Sequence, residues 1–155
     1  MRGVSDNRRK VGIALQKETY DAYNEIVRCL NSKGVKITLS SLINKILQIV
    51  VTKSKPEGFV NFFFKKLYMS REFLYIKERC DRRYGKSRLR SRRYSLKYVG
   101  VVLDDDVIEW LDTAVEGIKL VLPTISRSIV VNAVLDSIRF VYNKSLCDIL
   151  YNHLK

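Results

Sequence analysis

The stretch Val11-Gly12-Ile13-Ala14-Leu15 returns, lightly altered, as Val99-Gly100-Val101-Val102-Leu103, an offset of 88 residues. Each run reads as a short β-strand. Side chains alternate along a strand, so Val11, Ile13 and Leu15 share one face and Lys10, Gly12 and Ala14 the other. Each run also opens the same order of events: a five-residue apolar segment, an acidic or polar helix start, and a second helix opening in Ser or Thr.

Working outward from the first run, Thr19, Tyr23, Ile26, Val27 and Leu30 recur at helical spacing and predict a helix over about 17–30. Asn31-Ser32-Lys33-Gly34 stops it, with Gly34 suited to a left-handed cap. Thr38 is placed to cap the next helix, whose apolar stripe is Ile43, Ile46, Leu47 and Val50. The second copy keeps this order without a gap. Asp104-Asp105-Asp106 opens its first helix at the positive end of the helix dipole. Val107, Leu111, Ala114, Val115 and Ile118 form its stripe, Pro123 falls in the turn, and Ser126 stands where Thr38 stood. The offset pairs Val27 with Val115, Ile37 with Ile125, Ser40 with Ser128 and Asn44 with Asn132. An ungapped match of this kind indicates an internal repeat.

The expected organisation is a flexible basic arm (1–10), a first repeat (11–54), a basic helical insert (55–97), a second repeat (98–142) and a C-terminal helix (143–155). In the insert, Phe59, Phe62, Phe63 and Leu67 share a helical face after Pro56, and Ser70 opens a segment aligning Phe73, Ile76 and Cys80. Beyond it the apolar stripe fades into Lys86-Ser87-Arg88-Leu89-Arg90-Ser91-Arg92-Arg93.

A formal charge of +13 over 155 residues points to a polyanionic partner, nucleic acid before membrane. The charge is uneven: +6 over 1–54, +10 over 55–97 and −3 over 98–155. No apolar run approaches bilayer length, and 1–7 lacks the apolar core of a signal peptide, so a cytoplasmic setting is expected. Three widely spaced cysteines, Cys29, Cys80 and Cys147, argue against a disulfide framework and against a zinc site; each is expected to fill apolar space in a reducing interior.

A strand followed by two amphipathic helices, the second opening in Ser or Thr, resembles the ribbon-helix-helix family of transcriptional regulators. The tandem arrangement is similar to single-chain members from archaeal filamentous viruses, which would place the protein in the host cytoplasm. The resemblance implies an α+β, mostly α fold. In it the two repeats form a pseudo-dimer whose strands pair as an antiparallel ribbon for the DNA major groove. It implies base-facing positions at Lys10, Gly12, Ala14, Tyr98, Gly100 and Val102. Only Lys10 among them is a strong donor to guanine, whereas Ala14 and Val102 suit thymine methyls. It also implies phosphate clamps at the starts of the second helices, at Thr38, Ser40 and Ser41 and at Ser126, Arg127 and Ser128. Arg8, Arg9, Lys86, Arg88, Arg90, Arg92 and Arg93 add phosphate contacts.

The implied partner is double-stranded DNA, with no cofactor, metal, small-molecule substrate or membrane. The acidic C-terminal third, set against the basic insert, raises self-association along DNA. Competing explanations are a coating protein of little specificity and an antitoxin-like protein-interaction module; a nuclease is the weakest, for want of a ligand cluster. The repeated strands alone fit an ordinary core hairpin, and the basic run fits a solvated linker. The aspartate triplet fits dipole capping better than a metal site, because neighbouring residues on a helix point apart. Phe59, Phe62 and Phe63 fit core or interface better than a base-stacking platform, and His153 has no assigned role.

Overall fold

The structure, a computed structural model, describes residues 8–69 and 96–154, without the side chains of 66–69. The expected arm residues 1–7 and the insert residues Ser70, Phe73, Ile76, Cys80, Lys86, Arg88, Arg90, Arg92 and Arg93 lie outside the described residues, as does the Leu67 side chain.

Two strands, β1 (Arg8–Gln16) and β2 (Leu96–Asp104), form one antiparallel two-stranded sheet, and the rest of the described chain is mostly helical. The fold class is therefore α+β, mostly α. β1 is longer than the apolar run: Arg8, Arg9 and Lys10 belong to the strand and not to a flexible arm. The reason is pairing, since each has a partner residue in β2. In the register Gly12 lies opposite Gly100, with Arg8 opposite Asp104 at one end and Gln16 opposite Leu96 at the other. The two residues related by the 88-residue offset thus face each other at the centre of the ladder.

Helices α1 (Lys17–Ser32) and α2 (Leu39–Lys53) follow β1, and α4 (Asp105–Lys119) and α5 (Arg127–Tyr142) follow β2. The predicted stripes are the buried ones. Thr19, Tyr23, Ile26 and Leu30 are buried on α1, Ile43, Ile46 and Leu47 on α2, and Val107, Leu111, Ala114, Val115 and Ile118 on α4. Gly34 takes a positive φ of 96°, and the Val35 N–H closes back onto the Leu30 carbonyl at 3.0 Å, ending α1. Thr38 and Ser126 cap as expected, accepting the N–H groups of Ser41 (3.2 Å) and Ile129 (3.3 Å).

The inward faces of the strands, with Ile13, Leu15, Val101 and Leu103 fully buried, close a single core with these stripes. Burying each such side chain contributes about 1.5–3 kcal/mol, which a lone strand and two helices would not accumulate in sufficient number.

The first part of the insert belongs to this core. Helix α3 (Pro56–Met69) buries Phe59 and Phe63, and the Phe59 ring lies 5.3 Å from that of Trp110 on α4. Gly117 allows the close approach: a Cβ there would meet Val60 Cγ2 at 3.0 Å. The Trp110 indole donates to the Ser54 carbonyl at 2.9 Å, fixing the α2–α3 corner.

The C-terminal helix α6 (Leu146–Leu154) buries Leu146 and Leu150. Here the expectation for the cysteines is overturned. Cys29 of α1 and Cys147 of α6 form a disulfide across 118 residues, with Cα atoms 6.5 Å apart. Wide sequence spacing had counted against pairing, but α6 folds back onto the end of α1, where Lys33 also meets Asp148 at 3.3 Å. Among the described residues no helix is long and apolar enough to cross a membrane.

Candidate nucleic-acid interface

A two-stranded sheet leaves outward-pointing N–H groups along both edges. In this protein helix side chains satisfy two of them on each edge, and each strand is held by the helix from the other copy. Ala14 N–H donates to Ser128 Oγ (2.9 Å) and Gln16 N–H to Asn132 Oδ1 (2.9 Å). On the other edge Val102 N–H donates to Ser40 Oγ (3.0 Å) and Asp104 N–H to Asn44 Oδ1 (3.2 Å). Adding 88 to 14, 16, 40 and 44 gives 102, 104, 128 and 132, so the two sets are the same contact made twice. Sequence reasoning noticed the Ser40/Ser128 and Asn44/Asn132 matches but assigned only the serines, and those to phosphate. Their oxygens accept from the ribbon edge.

These clasps fix the ribbon beside two helix N-termini. Lys10, Gly12, Tyr98, Gly100 and Val102 lie on the exposed face, Tyr98 with 80% of its surface accessible. Ala14 departs from expectation. It lies on the same face by alternation but is only 9% exposed, with Ser128 and Asn132 hydrogen-bonded to its backbone N–H and carbonyl. The outward surface at that end therefore belongs mainly to Tyr98.

Thr38, Ser40, Ser41, Asn44, Lys45 and Gln48 of the α2 start, with Arg8 and Val102, line a cleft of about 130 Å³. Backbone N–H groups, hydroxyls and two cations meet there, a combination suited to an anion.

The cations are partly committed within the protein. Arg8 Nε donates to Asp104 (3.0 Å) and Arg9 Nε to Asp105 (3.1 Å). Asp104 stands at the N-cap position of α4, with Asp105 and Asp106 in the first turn; it makes no side-chain cap bond, and its carboxylate accepts from Arg8 and from Gln48. The Arg pairs are exposed, worth at most about 1 kcal/mol each, and exchangeable for phosphate. Arg127 is more firmly held: Nε and Nη2 meet the two Asp112 oxygens at 2.6 and 2.9 Å. That hydrogen bond holds the Asp112 carboxyl below its ordinary range against desolvation, with the charges of Arg127 and Arg9 adding to the effect.

The opposite electrostatic character appears along α4. Asp105, Asp106, Glu109, Asp112 and Glu116 line an acidic cleft with Arg9 at its edge. Among the described residues no group of three or more His, Cys, Asp or Glu side chains is placed to hold a metal ion.

No family model, curated protein or solved structure matches the chain.

Proposed function

We propose that this chain is a DNA-binding regulator of ribbon-helix-helix type. Its two copies, joined in one chain, form the pseudo-dimer that most such proteins build from two chains. The observation that carries the reading is the Gly12–Gly100 pair with the duplicated Ser and Asn clasps around it. A strand ladder centred on equivalent residues, each strand held by the other copy's second helix, is what a twofold-related pair of strand-helix-helix units requires.

The ribbon's exposed face enters the major groove, where a two-stranded ribbon fits. The N-termini of α2 and α5 then flank it and grip phosphates, and the basic residues of the insert add sequence-independent attraction. The action is binding without catalysis.

A second reading has a specific observation behind it. Of the six outward positions only Lys10 is charged, which favours a protein that coats DNA with little base readout. Anisotropy titrations of the full chain against labelled duplexes, with salt varied, and footprinting on promoter and random DNA separate these readings. A regulator gives a confined footprint and an affinity falling by about 0.9 log unit per log unit of salt for each phosphate engaged. Equal protection of every sequence assigns the protein to coating. Absence of DNA binding at low salt overturns both and favours a protein-interaction module.

A further inference from the structure

We infer that the ribbon reads an asymmetric DNA site in one orientation, with a guanine-preferring end built on Lys10 and an A·T-preferring end built on Tyr98. The inference rests on the major-groove reading above and adds the kind of site bound.

A twofold reader built from two identical chains presents the same residues at both ends of its ribbon and favours an inverted repeat. Here the equivalent positions differ. The offset relates Lys10 to Tyr98 and Val102 to Ala14, and the register sets Lys10 opposite Val102 at one end and Tyr98 opposite Ala14 at the other.

The geometry sharpens the difference. Lys10 does not stand away from the ribbon but crosses the neighbouring strand at Gly100. A Cβ built on Gly100 would lie 2.5 Å from Lys10 Cε and 3.4 Å from Nζ, so this glycine makes room for the lysine. Diagonal neighbours across an antiparallel pair are within reach of a long side chain. At Gly12, the residue related to Gly100 by the offset, a Cβ would meet nothing within 4 Å. One half of the ribbon centre is therefore covered by an amine and the other is open. Tyr98, 80% exposed, projects instead of folding over.

These ends present different chemistry to a groove. An ammonium seeks the paired acceptors O6 and N7 of guanine, and the adjoining Val102 suits a thymine methyl. The exposed phenol ring of Tyr98 offers apolar surface, which the C5 methyl of thymine matches and the cytosine amino edge does not. The flanking clamps differ in the same sense. Lys45 lines the cleft at the α2 start, whereas Arg127 at the α5 start is tied to Asp112.

The test is selection from a randomised duplex pool with the full chain, followed by the same selection with Tyr98→Lys and with Lys10→Ala. The expected wild-type motif is not an inverted repeat and carries a G·C preference of about tenfold at one end only. Tyr98→Lys should enrich G·C at both ends and bring the motif closer to an inverted repeat, and Lys10→Ala should erase the G·C preference while leaving the A·T end. A wild-type motif that is already an inverted repeat overturns the inference and leaves the proposed function standing. Binding at low salt with no enriched motif overturns the inference in favour of coating. Absence of binding at low salt overturns the proposed function itself.

Discussion

Asn132 brackets Ala14 across the boundary between the two copies: its Nδ2 donates to the Ala14 carbonyl at 2.8 Å while its Oδ1 accepts the Gln16 N–H at 2.9 Å. The same amide also donates to the Ser128 carbonyl one turn earlier (2.8 Å). Asn132 is 2% exposed, so water cannot replace these partners without rearrangement. Truncating it strands buried backbone groups, at about 1–3 kcal/mol for each group left unsatisfied. Asn132→Ala is therefore expected to destabilise the protein by about 2–4 kcal/mol in urea denaturation. Asn44→Ala, at the matching position on the other edge, should also destabilise, by about 1–2 kcal/mol. A loss under 0.5 kcal/mol for both would show that the clasps do not hold the ribbon.

The Cys29–Cys147 bridge closes a loop of 118 residues and ties α6 to α1. Cross-linking so distant a pair restricts the unfolded chain strongly, typically worth about 2–4 kcal/mol. Reduction, or Cys29→Ser with Cys147→Ser, should lower the melting temperature accordingly. DNA affinity of the folded protein should not change, because neither cysteine lies on the ribbon or at the α2 and α5 starts. Equal melting temperatures with and without reductant would show that the bridge contributes nothing.

What could be read from the sequence, and what could not, follows from the range of the interactions. Helical stripes, the Thr38 and Ser126 caps and the Gly34 stop are local, so spacing and residue type were enough to place them. The repeat gave the two strands and, through the resemblance, their pairing. Contacts formed only after the two copies come together were hidden. The Ser40–Val102 contact and the pairing of Asp104 with Arg8 depend on groups 62 and 96 residues apart in sequence. The disulfide was missed for the same reason. The burial of Ala14 was missed because alternation predicts which way a side chain points, not what packs around it.

Asp136 gives a pH signature. It is 3% exposed and accepts from Thr19 Oγ1 (2.6 Å) and Arg139 Nη2 (3.2 Å). Burial pushes its carboxyl up from the ordinary 3.8; Thr19 and Arg139 pull it back, and Glu18 adds to the rise. A folded-state pKa above the unfolded one means that the folded protein prefers the neutral acid. The site's stabilising contribution is complete below about pH 3.8 and is lost as the pH rises through the folded value. Asn stands in for the neutral acid. The stability of Asp136→Asn relative to wild type should therefore rise from pH 3 to pH 7, by about 1.4 kcal/mol per unit of pKa displacement. Other carboxylates cancel in this difference. A difference that is flat or falls with pH would show that the carboxylate is stabilised by its surroundings.

The Asp112–Arg127 pair opposes DNA binding if the α5 start grips a phosphate, because Arg127 must leave Asp112 to do so. The Asp112 carboxyl is held below its ordinary 3.8 chiefly by the Arg127 hydrogen bond. Its contribution to stability is present above that value and lost as the pH falls through the lower folded one. The two side chains are 50% and 38% exposed, so solvent limits the pair to about 1 kcal/mol or less, a modest cost on removal. Asp112→Asn should thus leave the fold intact while freeing a cation at a helix N-terminus. The expected result is severalfold tighter binding at low salt and a log–log salt slope steeper by about one, the signature of one added phosphate contact. Arg127→Ala in the wild-type background should change the slope little, and in the Asp112→Asn background should return it to the wild-type value. If Asp112→Asn leaves the slope unchanged, Arg127 does not face the DNA, and the phosphate clamp at the α5 start consists of its hydroxyls and backbone N–H groups alone.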